Sequence, residues 1–179
     1  MLQPKIYIED PHHKMSRKFL TDQVYSEAIE SFVIVDADVL FINKENKTLF
    51  LLARRKAKPM QGLWVIGGRI FAGESERDAI CRLTKRETSL EFGPDHFNFL
   101  CMNRYIWKDR QQEPQDKGSD NLCYTFTAEL TQEERATVSK DLDPKEYDTA
   151  LGLQEFSGEM LERQKVHPAI IDMHKMLFG

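Results

Sequence analysis

One segment of the chain, residues 62–90, places a glycine pair, acidic side chains and a helix in an order that could hold an ion. Gly67 and Gly68 end a predicted strand, where glycine permits positive φ or a close approach of the backbone. Carbonyls at such a turn can point at a cation, and amides can point at a phosphate. Ser75 is expected to cap a helix, with Asp78 at the reciprocal position of a capping box. The chemistry indicated is binding of a cation together with a phosphorylated ligand.

The spacing within this segment resembles the box of the Nudix superfamily, G-x5-E-x7-R-E-U-x-E-E-x-G-U, in which U is aliphatic. The positions that match in register are Gly68, Glu74, Arg82, Glu87 and Leu90. Other positions depart from the box: Leu83 and Arg86 replace two glutamates, Thr84 replaces an aliphatic residue and Ser89 replaces glycine. Two of the three metal-facing carboxylates of the box are therefore missing.

The substituted box is itself similar to one Nudix branch, the GDP-mannose mannosyl hydrolases. Their R-L-T-x-x-E-L-G pattern also lacks the first glutamate, and it resembles the string RLTKRETSL. Upstream, the residues that match the branch are Gln61, Gly62, Trp64, Gly67, Gly68 and Arg69. Ile66 stands in place of a proline, Asp38 matches an aspartate on an upstream strand, and Val166 and His167 match a C-terminal pair. The resemblance is most specific between residues 59 and 90.

The resemblance implies a fold and a set of site residues. The fold is an α/β Nudix-type α/β/α sandwich with a mixed sheet. The carbonyl of Gly67 and the carboxylate of Glu87 would bind Mg2+, with Mn2+ as a second candidate ion. Arg69 would contact the diphosphate of the substrate, and Asp38 would face the nucleobase.

The general base implied by the resemblance has no counterpart in this chain. The branch supplies a histidine, preceded by a glutamine metal ligand, from a loop before the last helices. The corresponding stretch, KDLDPKEYDTA, aligns through Tyr147 and places Asp143 and Pro144 at those two positions. Asp143 and Glu146 are therefore the candidate bases, because a loop carboxylate can activate a metal-bound water. The alternative is that this charged loop is only solvated.

The box also contains two arginines for which the sequence suggests different roles. Arg86 lies on the predicted helix, one residue from Glu87, so its charge would repel a bare divalent ion and attract a substrate phosphate. The Nudix counterpart of Arg82 pairs with the loop glutamate, so the resemblance implies a structural salt bridge between Arg82 and Glu74, with contact to the substrate as the alternative. Glu87 has an alternative reading as a solvated helix carboxylate that pairs with a nearby basic side chain.

The predicted function is Mg2+-dependent hydrolysis of a nucleoside diphosphate derivative, with a nucleotide sugar such as GDP-mannose as the expected substrate and water as the nucleophile. In the resembled branch, water attacks the anomeric carbon, which demands less metal activation than attack on phosphorus. The loss of box carboxylates is compatible with that reaction. The alternative function is a catalytically impaired Nudix-fold module that binds a nucleotide or regulates a partner.

Hydrophobic patterning predicts the strands that position these residues. A hairpin is expected from two segments rich in β-branched and aromatic residues, 31–43 and 48–55. Residues 62–70, 97–108 and 121–130 predict a third, a fourth and a fifth strand. Trp64 and Trp107 are expected to anchor the core and a loop rather than to stack on a base. Strands mixed with helices predict a layered α/β fold.

The same patterning predicts the helices and one long loop. Residues 16–31 and Ser75 to about Ser89 are expected to be helical, as are two pieces after Phe156, the second opened by Pro168. The last two helices are expected to cover one face of the sheet. Residues 108–121 contain almost only polar side chains and predict a long surface loop.

Composition bounds the class of protein. With 179 residues, 41% of them hydrophobic, the chain is expected to form one domain, residues 16–179, after an N-terminal arm, residues 1–15. A net charge of -4 argues against a nucleic-acid partner. Three widely spaced cysteines, no secretory signal and no membrane-length apolar run predict a soluble cytoplasmic protein. The resembled family forms homodimers, so a homodimer through residues 16–31 is expected, although that apolar face could also pack within its own domain.

Overall fold

All five segments predicted as strands contain strands in the computed structural model of this chain, which describes residues 5–10 and 12–179. Residues 1–4 and 11 of the predicted arm lie outside the described residues. The elements in chain order are α1 (Asp22–Ser31), β1 (Ile34–Asn43), β2 (Phe50–Arg55), β3 (Gly62–Trp64), β4 (Ile66–Arg69), α2 (Glu76–Thr88), β5 (Asn98–Trp107), β6 (Ser119–Leu130), α3 (Gln132–Asp141), β7 (Leu153–Phe156), α4 (Gly158–Arg163) and α5 (Pro168–Phe178).

The seven strands form one mixed sheet in the order β3-β2-β1-β6-β5, with β4 also paired to β1 and β7 paired to β2. β1 is its centre, since it runs parallel to β6 along its whole length and antiparallel to both β2 and β4. The predicted hairpin of β1 and β2 is confirmed. The single predicted third strand is wrong: β3 pairs with β2 and β4 pairs with β1, so the chain changes neighbours at Val65.

Two layers of helices cover the sheet, and the predicted α/β/α sandwich is confirmed. Alternate residues of a strand point to opposite faces, so β1 contributes to two separate cores. Val39 packs on one face with Leu83 of α2 and Val138 of α3. Leu40 packs on the other face with Ile170 of α5. The last two helices therefore cover one face, as predicted.

Helix α2 begins and ends close to where the sequence predicts. The hydroxyl of Ser75 accepts a hydrogen bond from the amide of Asp78 at 3.1 Å and caps the helix. The carboxylate of Asp78 accepts from that same hydroxyl at 2.6 Å, whereas the predicted capping box has it bind the backbone amide. Ser89 ends the helix in the left-handed conformation with φ of 60°, at the position where the Nudix box has glycine.

Some elements differ from the prediction. Helix α1 begins at Asp22 rather than near residue 16, and α3 and β7 were not predicted. The loop at residues 108–118 lies on the surface, as predicted, but it is anchored to α1 by Arg110, which is 1% exposed. Its guanidinium donates hydrogen bonds to Ser26 at 2.6 Å and to Glu30 at 2.7 Å, both on α1. The loop and α1 therefore form one joined surface element.

The apolar face of α1 packs partly within its own domain. On α1, Ile29 is buried, Tyr25 is half-buried and Val24 is exposed; Phe19 and Leu20, which precede the helix, are also exposed. The homodimer and the division into arm and domain stay predictions. In the described part of the chain, no helix has both the length and the apolar character needed to cross a membrane.

Candidate functional site

A cavity of about 240 Å³ opens on one side of the sheet centre. Its floor is formed by β1, β4 and β6, while α1 and residues 110–112 border one side. Residues 55–59 and 146–147 border another. The predicted site residues Asp38, Gly67, Arg69 and Glu146 all line this cavity, although they come from distant parts of the sequence.

Two carboxyl groups lie side by side on the cavity floor. Asp36 and Asp38 are two residues apart on β1 and therefore share one face of the sheet. Burial raises the pKa of Asp36 to about 6, although a 2.6 Å hydrogen bond from Asn121 works in the opposite direction. Burial, together with the negative charge of Asp36, raises the pKa of Asp38 to about 7. The floor therefore holds acidic groups that change charge near neutral pH.

The pairing of β1 with β4 fixes these acids against the glycine turn. Asp38 lies opposite Gly67, and Asp36 lies opposite Arg69. The guanidinium of Arg69 stacks over the ring of Tyr25 on α1, with its central carbon 4.1 Å from the ring centroid. Arg69 therefore links the floor to the helix that borders the cavity.

An aromatic wall closes the cavity on a third side. Tyr105 and Trp107, two residues apart on β5, stack with their ring centroids 5.0 Å apart. Trp64 meets Trp107 edge to face at 5.7 Å. His167 packs 5.4 Å from the centroid of Trp64, and burial lowers the pKa of this histidine. The tryptophans were predicted only as anchors; they are anchors that also line the cavity.

Some cavity residues that were not predicted could have been found from strand spacing, and others could not. Tyr105 and Trp107 alternate on one strand, and Asp36 precedes the predicted Asp38 by two residues. Both spacings place the pairs on a common face. Arg55 and Asn121 gave no such signal, because their proximity to the site depends on long-range strand pairing.

The predicted scaffold pair between α2 and the preceding loop is confirmed. Arg82 donates two parallel hydrogen bonds to the carboxylate of Glu74, each of 2.7 Å. It donates a third bond of 3.0 Å to the carbonyl of Arg69. Burial alone would raise the pKa of Glu74, but the bonds from Arg82 and from the amide of Phe71 hold it below its usual value. The pair fixes the loop that leaves the glycine turn.

Glu87, the expected metal ligand, is a buried carboxylate that already has a cationic partner. It is 1% exposed, and its Oε1 accepts a 2.6 Å hydrogen bond from Nε of Arg86. Its Oε2 is buried, with no hydrogen-bond partner among the described residues. Burial raises the pKa of Glu87, and the positive charge of Arg86 opposes that shift. The alternative interpretation of Glu87, a solvated carboxylate paired with a basic side chain, is right about the pairing with Arg86. It is wrong about the solvation, because the carboxylate is buried.

The guanidinium of Arg86 reaches from Glu87 to the glycine turn. One of its terminal nitrogens lies 3.5 Å from where a β-carbon on Gly68 would be. Leu83, which replaces the first box glutamate, is fully buried, and its methyl group lies 3.2 Å from that same point. Beside the glycine turn, this chain therefore has the guanidinium of Arg86 and the hydrocarbon side chain of Leu83 at the two positions where the Nudix box has glutamates.

The two candidate bases are not equivalent in the structure. Glu146 lines the cavity and forms an ion pair of 3.2 Å with Arg55. Asp143 is not among the lining residues; its carboxylate accepts a 2.8 Å hydrogen bond from the amide of Lys145 and so stabilises a local turn. The structure thus brings only one of the two candidates to the cavity.

The donor set does not fit a magnesium ion. Mg2+ requires near-octahedral oxygen coordination, usually with one or two carboxylates and several waters. Across residues 5–10 and 12–179, no three His, Cys, Asp or Glu side chains are grouped closely enough to hold a metal. Glu87 offers only Oε2, because Arg86 occupies Oε1, and the guanidinium would repel a divalent ion at that position.

Comparisons with known proteins agree with this architecture. The family model described as NUDIX domain matches residues 34–171. A MutT NUDIX hydrolase from Burkholderia pseudomallei superposes with a TM-score of 0.59 at 17% identity, covering 82% of this chain and 98% of that chain. A MutT protein from Methanosarcina mazei Go1 gives 0.57 at 16% identity, with coverages of 81% and 92%.

A third solved structure is a binary complex of the C. elegans Ap4A hydrolase. It superposes with a TM-score of 0.55 at 16% identity, covering 80% of this chain and 94% of that chain. At such low identities these likenesses show the fold alone. No curated protein gives a significant match.

Proposed function

This chain belongs to the NUDIX domain family, and we propose that it hydrolyses a nucleoside diphosphate derivative, with a nucleotide sugar such as GDP-mannose as the expected substrate. One observation carries the proposal: a single cavity combines an aromatic wall, a floor of two carboxyl groups and an arginine beside the glycine turn. A nucleotide offers the matching groups, namely a planar base, ring N–H and amino donors, and phosphate oxygens.

The aromatic wall and the acid floor of the cavity are suited to a purine or pyrimidine. The half-buried ring of Trp107 presents an apolar surface, and stacking of a base on such a ring is favourable. Asp36 and Asp38 supply oxygen atoms that accept hydrogen bonds from a base. A protonated carboxyl group can also donate a hydrogen bond. The two acids can therefore bind both donor and acceptor groups of a nucleobase.

The basic side chains of the same cavity are suited to the diphosphate. Arg55, Arg69 and Lys58 all line the cavity and supply three positive charges. Guanidinium groups bind phosphate oxygens with two parallel hydrogen bonds. Gly67 and Gly68 both line the cavity, so the backbone of the turn borders the proposed diphosphate site.

Glu146 is the base in the proposed reaction. Glu146 lines the cavity, and Arg55 holds its carboxylate in place through an ion pair of 3.2 Å. Water attacks the anomeric carbon, its proton passes to Glu146, and the bond to the diphosphate oxygen breaks. The nucleoside diphosphate leaves as an anion next to the arginines. No step is assigned to a magnesium ion, because the donor set does not fit one.

A panel of nucleotide sugars tests this proposal. The protein is incubated with each compound, and the release of free sugar and of nucleoside diphosphate is followed by chromatography. We expect one or more compounds to be split between the sugar and the diphosphate. The control is Glu146→Gln under the same conditions, which excludes a contaminating hydrolase.

The second candidate function is a nucleotide-binding module without turnover. It is favoured by one specific observation, the replacement of box carboxylates by buried Leu83 and by Arg86. The same panel separates the two functions. Binding of a nucleotide by calorimetry without release of either product from any compound would support the module and contradict the hydrolase.

A further inference from the structure

We propose that the guanidinium of Arg86 is a built-in cation at the glycine turn, so that this chain binds the diphosphate of its ligand without a divalent metal ion. The inference rests on the proposed function for the class of ligand, a nucleoside diphosphate. It goes beyond that function by stating which group carries the positive charge, and it departs from the metal dependence that the family resemblance implies.

The first step is geometric. The guanidinium of Arg86 binds the carboxylate of Glu87, and one of its terminal nitrogens lies 3.5 Å from where a β-carbon on Gly68 would be. Gly67 and Glu87 are the two residues that the resemblance assigns to the metal. A unit positive charge that belongs to the chain itself is therefore already bound to Glu87 and lies beside Gly68, the neighbour of Gly67 in sequence.

The second step is electrostatic. A carboxylate that is 1% exposed requires a counter-charge, and Arg86 supplies it through two contacts to Oε1. A divalent ion at the remaining Oε2 would lie within a few ångströms of the guanidinium, and like charges so close repel each other strongly. The Arg86 and Glu87 pair therefore satisfies the buried acid and disfavours a second cation.

The third step concerns the space around the pair. Leu83 fills the position next to Gly68 with a methyl group at 3.2 Å, so no second carboxylate is available on the facing turn of α2. Arg86 itself is about half exposed, at 51%, and it lies beside Gly68, which lines the cavity, although Arg86 is not itself a lining residue. A guanidinium has five N–H donors, so donors remain for phosphate oxygens after Glu87 is bound.

Calorimetric titration with GDP tests the inference without requiring turnover. The wild-type protein is titrated in EDTA and again in excess Mg2+. We expect the two dissociation constants to agree within about twofold, and we expect Arg86→Ala to weaken binding in EDTA by about tenfold or more, as for loss of one charge-assisted contact. Lys85→Ala is the matched control, because this exposed neighbour on α2 pairs with Glu91 and should leave binding unchanged.

Arg86→Ala leaves Glu87 buried without its partner, which could impair folding. A second variant, Arg86→Ala combined with Glu87→Gln, removes both charges and is checked by thermal melting. It should fold and should still lose binding in EDTA. Wild-type binding that requires Mg2+, or an unchanged affinity of the folded double variant, overturns the inference and leaves the proposed function standing. Wild-type binding in neither buffer overturns both.

Discussion

The carboxylate of Asp38 lies directly against the α-carbon of Gly67, its partner across the pairing of β1 with β4. A β-carbon on Gly67 would lie 2.1 Å from Oδ1 of Asp38 and 2.3 Å from the carbonyl oxygen of Ala37. The second of these atoms is backbone and cannot turn aside. This close approach joins the acid floor of the cavity to the glycine turn.

We therefore expect Gly67→Ala to destabilise the fold by about 3 kcal/mol or more, since β1 and β4 must separate to admit the methyl group. Urea unfolding followed by circular dichroism measures the change. Gly93→Ala is the control: no atom lies within 4 Å of the added carbon, so its free energy of unfolding should stay within about 0.5 kcal/mol of the wild-type value. If both substitutions change the free energy of unfolding by the same amount, the contact between Gly67 and β1 is not tight.

The acid floor predicts a fall in stability as the pH rises. The pKa values of Asp36 and Asp38 in the folded protein are raised to about 6 and about 7, so the folded state keeps protons that the unfolded chain releases above about pH 4. The free energy of unfolding should therefore decrease between about pH 4 and pH 7 and level off above.

Asp38→Asn should remove the larger part of that decrease, which for a shift of about three pKa units amounts to at most roughly 4 kcal/mol. The measurement is a series of urea unfolding curves at several pH values. Glu45→Gln, in an exposed turn, is the control and should retain the wild-type pH dependence. If the free energy of unfolding of Asp38→Asn changes with pH as that of the wild type does, Asp38 does not retain its proton in the folded protein.

The positions of the two candidate bases predict opposite kinetic results. Glu146→Gln should lower kcat by roughly a hundredfold, the usual scale for loss of a general base, because Glu146 lines the cavity. Asp143→Asn should change kcat by less than about threefold, because that carboxylate stabilises a local turn. Steady-state assays on the best nucleotide sugar compare both variants, and the reverse order of effects would place the base at Asp143.

Ser89 offers a test of the helix end that the Nudix box assigns to glycine. Because its φ is 60°, a conformation that glycine adopts without strain, Ser89→Gly should stabilise the protein by about 0.5–1 kcal/mol. Thermal unfolding measures the shift. Glu27→Gly is the contrasting control: Glu27 is exposed in the interior of α1, where glycine should destabilise by a similar amount. A loss of stability in Ser89→Gly would contradict the strain argument.

The sequence by itself determined the features that depend on local spacing. The pairs of residues that share a face of β1 or of β5 follow from strand alternation, and the limits of α2 follow from the cap at Ser75 and from the register of the box up to Ser89. The ion pair of Arg82 with Glu74 spans only eight residues and was predicted from the box register alone. Such contacts are set by helix and loop geometry, which short stretches of sequence encode.

Only the tertiary structure decided which of these groups form one site. Asp36 meets Asn121 across 85 residues, and Arg55 meets Glu146 across 91. The divided third strand depends on β3 and β4 pairing with different neighbours. That Glu146 lines the cavity and Asp143 does not depends on which side chain the loop turns towards it. These contacts arise from long-range pairing in the sheet, because a hydrophobic pattern specifies which face of a strand is buried but not which strand lies beside it.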